Sequence, residues 1–194
     1  GDPVRSIRRG AEGVRLRTAS GEASFDEVIL ACHGGDALSL LEDATAAERE
    51  ILGAVRYQAN DVVLHTDTSL LPRSRRAWAS WNYHVRPDRD LATLTYDLNR
   101  LQGFDSRTRY CVTLNETESV DPSRIIRRFT YAHPQYSPEW VRVRERRERI
   151  QGTHGVWFCG AYFGNGFHED GVRSAAEVVD GITSRAPVPA ARAS

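Results

Sequence analysis

The chain has 194 residues, with 26 basic side chains against 26 acidic ones, and is long enough for one large domain or parts of two. A formal net charge of zero gives no electrostatic basis for binding nucleic acid or an anionic membrane surface. All 26 basic residues are arginine, so no lysine is present to act as a base, a Schiff-base former or a holder of water. Methionine is absent as well. With the opening Gly1-Asp2-Pro3, that absence reads as a processed chain or a piece of a longer one.

Cys32, Cys111 and Cys159 are odd in number, far apart and each set in an apolar run, which reads as buried free thiols. No cysteine or histidine cluster has zinc spacing, and no metal site is expected. Without a signal-like start or a long apolar span, a soluble cytoplasmic protein is expected.

In chain order, Val4–Arg9 and Val14–Thr18 alternate apolar and polar residues as half-buried strands, with the turn Gly10–Gly13 between them. After the Ser20-Gly21-Glu22 turn, Phe25–Cys32 reads as a strand with a fully apolar VILAC core, running into His33-Gly34-Gly35. Asp36–Leu41 is a short helix. Thr45–Arg56 is a second one, opened by the threonine and glutamate of a capping box at Thr45 and Glu48.

The middle of the chain is β-rich. Asp61–Thr66, Ala77–Val85, Leu91–Leu98 and Tyr110–Leu114 read as antiparallel strands of a second sheet. Within them Trp81 and Tyr83 share one face and are candidates for an aromatic substrate wall, against plain sheet-core packing. Tyr96, Asn99 and Asn115 are polar positions that a pocket could use. Asp121-Pro122 starts a short helix and His133-Pro134 marks a strand end. Pro138–Ile150 is a charged helix whose arginines read as a solvated face. The α/β character then returns with the strand Val156–Cys159 and the helix Gly171–Ile182, before a frayed tail, Ser184–Ser194.

The chemistry concentrates in Gly160–Val172, a glycine-rich turn between strand and helix that lets a ligand approach the backbone. A P-loop is excluded because there is no lysine, and no GxGxxG is present. Glu169 and Asp170 at the helix start would repel a phosphate but cap the helix well. A neutral, electron-rich oxygen such as a flavin carbonyl fits there better. His168 beside Glu169 can be read as an acid–base pair or as a backbone contact, and no catalytic residue is assigned. His33 can line a cofactor cleft or serve as a turn residue.

The segments PVRSI and GVRLRTASGEASFDEVILACH, then AWASWNY, TYDLNRLQ, CVTLN and YAHP, and finally WFCGAYFGNGFHEDGVRSA, together resemble the C-terminal half of the flavin-containing amine oxidase superfamily. The likeness is closest to a bacterial, FAD-dependent, amine-oxidase-like branch and runs to about Ile182. It implies a mixed α/β fold in which part of an FAD/NAD(P)-binding, Rossmann-like domain is interrupted by a β-rich antiparallel substrate domain. The expected divisions are 1–42 and 153–183 for the cofactor domain, 43–152 for the substrate domain and 184–194 for a disordered tail.

The resemblance further implies FAD as cofactor, with Val4 near the adenine and Gly160, Ala161 and Tyr162 near the ribityl and pyrophosphate region. Phe167 would lie beside the flavin ring. His168, Glu169, Asp170, Gly171 and Val172 would present the helix start to the flavin N1–O2 edge. The implied activity is hydride removal from a substrate C–H bond to flavin N5, on a small-molecule or lipid-like substrate. The N-terminal FAD-binding portion of the same protein would complete the site, since the family's GxGxxG unit is absent here. The missing lysine departs from amine oxidases that use one to hold a water near N5. A lipid or alkene desaturase or dehydrogenase, or a cofactor-free interaction module, is the alternative reading.

Overall fold

The computed structural model describes residues 1–88 and 90–185. They form two compact units, one of residues 1–57 and 134 onward, the other Gln58–His133.

The first unit opens with an antiparallel meander, β1 (Val4–Gly10), β2 (Gly13–Thr18) and β3 (Glu22–Phe25), in spatial order β1-β2-β3. The sequence reading put Glu22 in a turn and began a strand at Phe25, so β3 was not read. In the structure the chain breaks after Phe25, and β4 covers only Val28–Leu30. Val28 is drawn into register with a distant segment, donating its N–H to the carbonyl of Gly155 at 2.8 Å. β4 pairs in parallel with β10 (Val156–Phe158), and their carboxyl ends lie at the same end of the pair.

Helices α1 (Gly34–Leu40), α2 (Ala46–Gly53) and α4 (Pro138–Arg144) cover this unit's core, which takes in Ile7, Leu30, Ile51, Leu52, Trp140, Ile150, Val156 and Phe158. The expected capping box opens α2: Glu48 N–H donates to Thr45 Oγ1 at 3.2 Å, and Thr45 N–H donates to the Glu48 carboxylate at 2.7 Å. Such a cap is worth about 1 kcal/mol. α2 stops at Gly53, short of the expected Arg56, because Arg56 already begins a strand. The charged segment after Pro138 is α4 followed by a separate 3-10 turn, Arg147–Ile150, and not one continuous helix. The helix after β10, α5 (His168–Ser184), starts three residues before the expected Gly171. The expected frayed tail lies outside the described residues beyond Arg185, and Ser184 itself ends α5.

The second unit is built on a five-stranded sheet of order β6-β7-β8-β5-β9: β5 (Arg56–His65), β6 (Trp81–His84), β7 (Thr93–Asp97), β8 (Cys111–Leu114) and β9 (Ile125–Gln135). A one-turn helix, α3 (Leu98–Leu101), follows β7. The sequence reading put the interrupting domain at 43–152. Tertiary contacts divide the chain near 57 and 134, because α2 and α4 bury Ile51, Leu52, Trp140 and Val143 in the first unit's core. Only the end of β9 was anticipated, at His133-Pro134, and the strand runs on to Gln135: it is an edge strand exposed along most of its length, so Ile125-Ile126-Arg127-Arg128-Phe129-Thr130-Tyr131 carries no alternation to read.

Side chains of this sheet alternate in an unusual sense. The buried face is polar, with Asn82, Thr93, Thr95, Asp97, Thr113 and His65 all sealed from solvent. Three of them form a chain: Thr95 and Thr113 hydroxyls meet at 2.8 Å and His65 Nε2 lies 2.8 Å from Thr113 Oγ1. His65 Nδ1 accepts the Asp67 N–H at 3.1 Å, so Nε2 carries the proton and the ring is held neutral. Burial pushes its pKa below the ordinary 6.5. Between the lowered value and 6.5 the unfolded chain binds a proton that the folded chain does not. His65 therefore stabilises the fold fully above pH 6.5, and that contribution is lost as pH falls through the folded value. Urea midpoints of this unit should fall as pH drops below about 6.5, and His65→Gln should flatten that part of the profile. An unchanged slope in the variant would show that another group carries it.

Candidate functional site

At the carboxyl ends of β4 and β10 the chain enters two glycine-containing turns. After Leu30 come Ala31, Cys32, His33 and α1; after Phe158 come Cys159, Gly160 and a 3-10 turn, Ala161–Phe163. The crevice outside the carboxyl ends of parallel strands is where open α/β sheets hold ligands.

The Gly160–Phe167 turn is tightly held. Gly160 donates its N–H to Ser174 Oγ at 3.0 Å. A Cβ at Gly160 would stand 2.4 Å from the Tyr162 ring, so only glycine allows that ring to fold back. Gly166, at φ 86°, donates to the Ala161 carbonyl at 3.1 Å, and its missing Cβ leaves room for the Tyr136 hydroxyl. Asp170 is the hub: one carboxylate oxygen accepts the Asn165 N–H at 2.9 Å and the Phe167 N–H at 3.1 Å. The other oxygen meets Arg173. Those backbone donors, chiefly Asn165 and Phe167, hold its pKa below the ordinary carboxylate value. Asp170 thus caps α5 and explains its early start, and its charge is turned into the loop. Arg144 of α4 donates to the Gly164 carbonyl at 2.9 Å. Of the arginines read as a solvated face, Arg144 braces this turn, Arg146 and Arg149 pair with Glu50, and Arg147 pairs with Glu177.

The expected cofactor residues fall into two settings. Gly160, Ala161 and Tyr162 are brought together with the start of α5, where Phe167, His168, Glu169 and Val172 are exposed, Gly171 is half-buried and Asp170 is buried. Val4 lies apart in the sequence of elements, half-buried at the start of β1, and packs on the same core as Tyr162. Tyr162 is 4% exposed, and its hydroxyl has no hydrogen-bond partner among the described residues. Burial pushes that hydroxyl's pKa far up, so it remains a neutral donor in want of an acceptor. Burial raises the thiols of Cys32 and Cys159 likewise, so neither is a ready nucleophile. All three cysteines are free, with Cys111 and Cys159 buried and Cys32 half-buried.

His33 stacks on Tyr57, ring centroids 4.4 Å apart, and Tyr57 Oη accepts the Gly34 N–H at 3.0 Å. Sequence reasoning missed Tyr57, Tyr136, Arg144 and Ser174. Each acts on the glycine turns from a distant element or a later helical turn, and only Ser174, a polar residue on the inner face of an amphipathic helix, left a signal.

In the second unit Trp81 and Tyr83 do share one face, and both are well exposed. Trp78, read with them as part of one strand, precedes β6: it lies between Arg75 and Arg109, at 5.5 and 5.6 Å, with its indole N–H on the Pro72 carbonyl. Asn99 serves the backbone, accepting the Tyr110 N–H and donating to the Thr108 carbonyl. Asn115, at φ 55°, accepts the Asp61 N–H and donates to the Ala92 carbonyl. No group of three or more histidine, cysteine or acidic side chains could hold a metal among the described residues. No helix there is long and apolar enough to cross a membrane.

Residues 1–183 match the family of flavin-containing amine oxidoreductases. The chain belongs to that family. No curated protein matches the sequence. Among solved structures, a CLA-producing fatty acid isomerase from P. acnes is similar over 96% of this chain and 48% of its own, with 16% identity and a TM-score of 0.64. Putrescine oxidase bound to putrescine matches 95% of this chain and 49% of its own, at 10% identity and TM-score 0.61. Cyclohexylamine oxidase from Brevibacterium oxydans IH-35A matches 94% and 48%, at 12% identity and TM-score 0.57. At such identities the likeness shows a shared fold. The chain spans about half the length of these three proteins. The expected mixed fold with antiparallel sheets is the one observed.

Proposed function

We propose that this member of the flavin amine oxidoreductase family is part of an FAD-dependent oxidoreductase that takes a hydride from a substrate C–H bond. The observation that carries the reading is the buried, partnerless Tyr162 hydroxyl at the carboxyl ends of the β4–β10 pair. It sits in a turn whose one buried carboxylate, Asp170, is already engaged. The residues present fit a flavin: an orphan hydroxyl donor, a glycine at position 171 with room at the helix start, and a helix start whose acid is turned inward. When bound, the flavin supplies the hydride acceptor. Gly160, Ala161 and Tyr162 would line one part of it. Phe167 would lie beside the ring, and the N–H groups at the start of α5, over His168 to Val172, would favour negative charge at the ring's polar edge. Val4 would contact the adenine side. Trp81 and Tyr83 would form a substrate wall. With no lysine in the chain, the lysine-held water of amine oxidation has no counterpart here. The reduced cysteines accord with a cytoplasmic setting.

On this reading an N-terminal portion carrying a GxGxxG unit completes the cofactor site. Co-expression of the chain with such a portion should give a yellow complex that keeps its flavin through gel filtration. A colourless complex under saturating FAD would overturn the proposal. Gly171→Ala supplies a finer check. Its Cβ would meet only Ala161, the nitrogen at 3.7 Å and the Cβ at 3.9 Å, and alanine gains helix propensity of about 0.5–1 kcal/mol. The variant should fold at least as well as the parent and bind FAD more weakly, through the methyl added at the helix start. Equal affinity would remove Gly171 from the site.

A further inference from the structure

We propose that the second unit carries a docking surface for an anionic lipid layer, built from α3, the loop that follows it and the 3-10 turn Arg75–Ala77. This surface stands apart from the cofactor reading, and no flavin enters its test.

Two chain segments meet there. Trp78, just after the 3-10 turn, has the Arg75 guanidinium 5.5 Å and the Arg109 guanidinium 5.6 Å from its ring centroid. Arg109 reaches Asp97 at 3.2 Å, and Arg100 of α3 reaches the other oxygen of that carboxylate at 3.4 Å. The loop leaving α3 turns at Gly103, φ 66°, and is held by the Phe104 N–H, which donates to the Asn99 carbonyl at 3.1 Å. Ala79 and Ser80 of one segment and Arg100, Phe104 and Arg109 of the other line a single depression.

The zero net charge of the whole chain conceals a local excess. Residues 72–80 and 97–110 contain Arg73, Arg75, Arg76, Arg100, Arg107 and Arg109 against two acids, Asp97 and Asp105. Asp97 is sealed and engaged by Arg100 and Arg109, which leaves Asp105 as the exposed carboxylate of these segments. Asp67, near Cys111 at the start of β8, is buried and accepts the Ser69 and Asp121 N–H groups. Arg73, Arg75, Arg76 and Arg107 are exposed and pair with no carboxylate among the described residues. In the first unit, by contrast, Arg146 and Arg149 share Glu50, and Arg147 takes Glu177.

The apolar neighbours decide which anion suits the surface. Leu101, next to Arg100, is 46% exposed, and Phe104, on the loop before Arg107, is 37% exposed. A free phosphate or a nucleic-acid backbone gains nothing from them. A lipid layer takes such side chains in at its headgroup boundary while guanidiniums meet its phosphates. Single-stranded nucleic acid asks for open aromatic faces on which bases stack. Trp78 offers none, since its ring is taken by two arginines and its N–H by the Pro72 carbonyl.

Vesicle co-sedimentation of the 194-residue chain tests the inference, with phosphatidylcholine alone and with phosphatidylcholine containing about one-third phosphatidylglycerol. The chain should sediment with the anionic vesicles only and be released by high salt. Arg73→Gln, Arg76→Gln and Arg107→Gln should each weaken binding about fivefold, and Leu101→Ser about tenfold. All four side chains are exposed, and circular dichroism checks the fold. Equal sedimentation with both vesicle types, or with neither, would overturn the inference. Leu101→Ser binding as tightly as the parent would make the face a general polyanion site, open to competing poly(U) RNA, and the lipid assignment would fall. A complex with the co-expressed N-terminal portion that no longer sediments would show the face covered within the whole protein, with the same consequence.

Discussion

Glu48→Ala is expected to destabilise the first unit by about 3 kcal/mol, the lower part of the range for breaking a buried ion pair. Glu48 is fully buried, and its carboxylate joins two elements: one oxygen meets the Arg9 guanidinium on β1, and the other accepts the Thr45 N–H at the start of α2. Removing it leaves a nearly buried guanidinium with part of its charge uncompensated and an orphaned N–H at the cap. The loss stays at the lower end because Arg9 keeps Asp43 at 2.9 Å and the Thr153 carbonyl at 3.1 Å. Glu48→Gln separates the two roles, since an amide oxygen can still cap α2 but carries no charge. Urea unfolding of Arg9→Ala, Glu48→Ala and the double variant should give a coupling energy above about 1 kcal/mol. Additive losses would mean that the pair contributes only through its separate contacts.

Trp140→Ala is the second large effect, about 3–5 kcal/mol for emptying a fully packed indole site. Its consequence reaches the candidate cofactor turn. Trp140 holds Tyr136 edge-on at 4.7 Å between ring centroids, and the Tyr136 hydroxyl occupies the space left by the missing Cβ of Gly166. Arg144 lies 4.7 Å over the same indole and donates to the Gly164 carbonyl. The alanine variant should therefore lose stability and flavin retention together. Arg144→Ala removes one brace without opening a cavity, so it should weaken flavin retention with little change in the urea midpoint. Identical flavin affinity in both variants would sever the link between α4 and the turn.

These two effects differ in how far they could be read from the sequence. The Thr45–Glu48 capping box is a local pattern, three residues apart, and the structure forms it as expected. The partner of Glu48, Arg9, lies 39 positions away and left no local trace. The sharing of a face by Trp81 and Tyr83 follows from alternation alone. That the face is accessible while Asn82, Thr95 and Thr113 are sealed depends on what packs behind the sheet. The turn between β10 and α5 was legible from its glycines, and Asp170 as a cap. The supports from Tyr136 and Arg144 were not, since an arginine in a charged helix looks the same whether it faces water or a backbone carbonyl. The body of β9 escaped because an exposed edge strand needs no apolar alternation, and β3 because its four residues are all exposed and its first, Glu22, follows a glycine turn.

The sequence by itself determined the local chemistry: where helices are capped, where the backbone must be glycine, which strands alternate, and the absence of any lysine. Those properties depend on one residue and its near neighbours, so they survive in one dimension. The tertiary structure decided the parallel pairing of β4 with β10, the division of the chain near 57 and 134, and the burial that leaves the Tyr162 hydroxyl without a partner. Each of these is set by contacts between segments 100 or so positions apart, whose free energy comes from packing that no local pattern encodes.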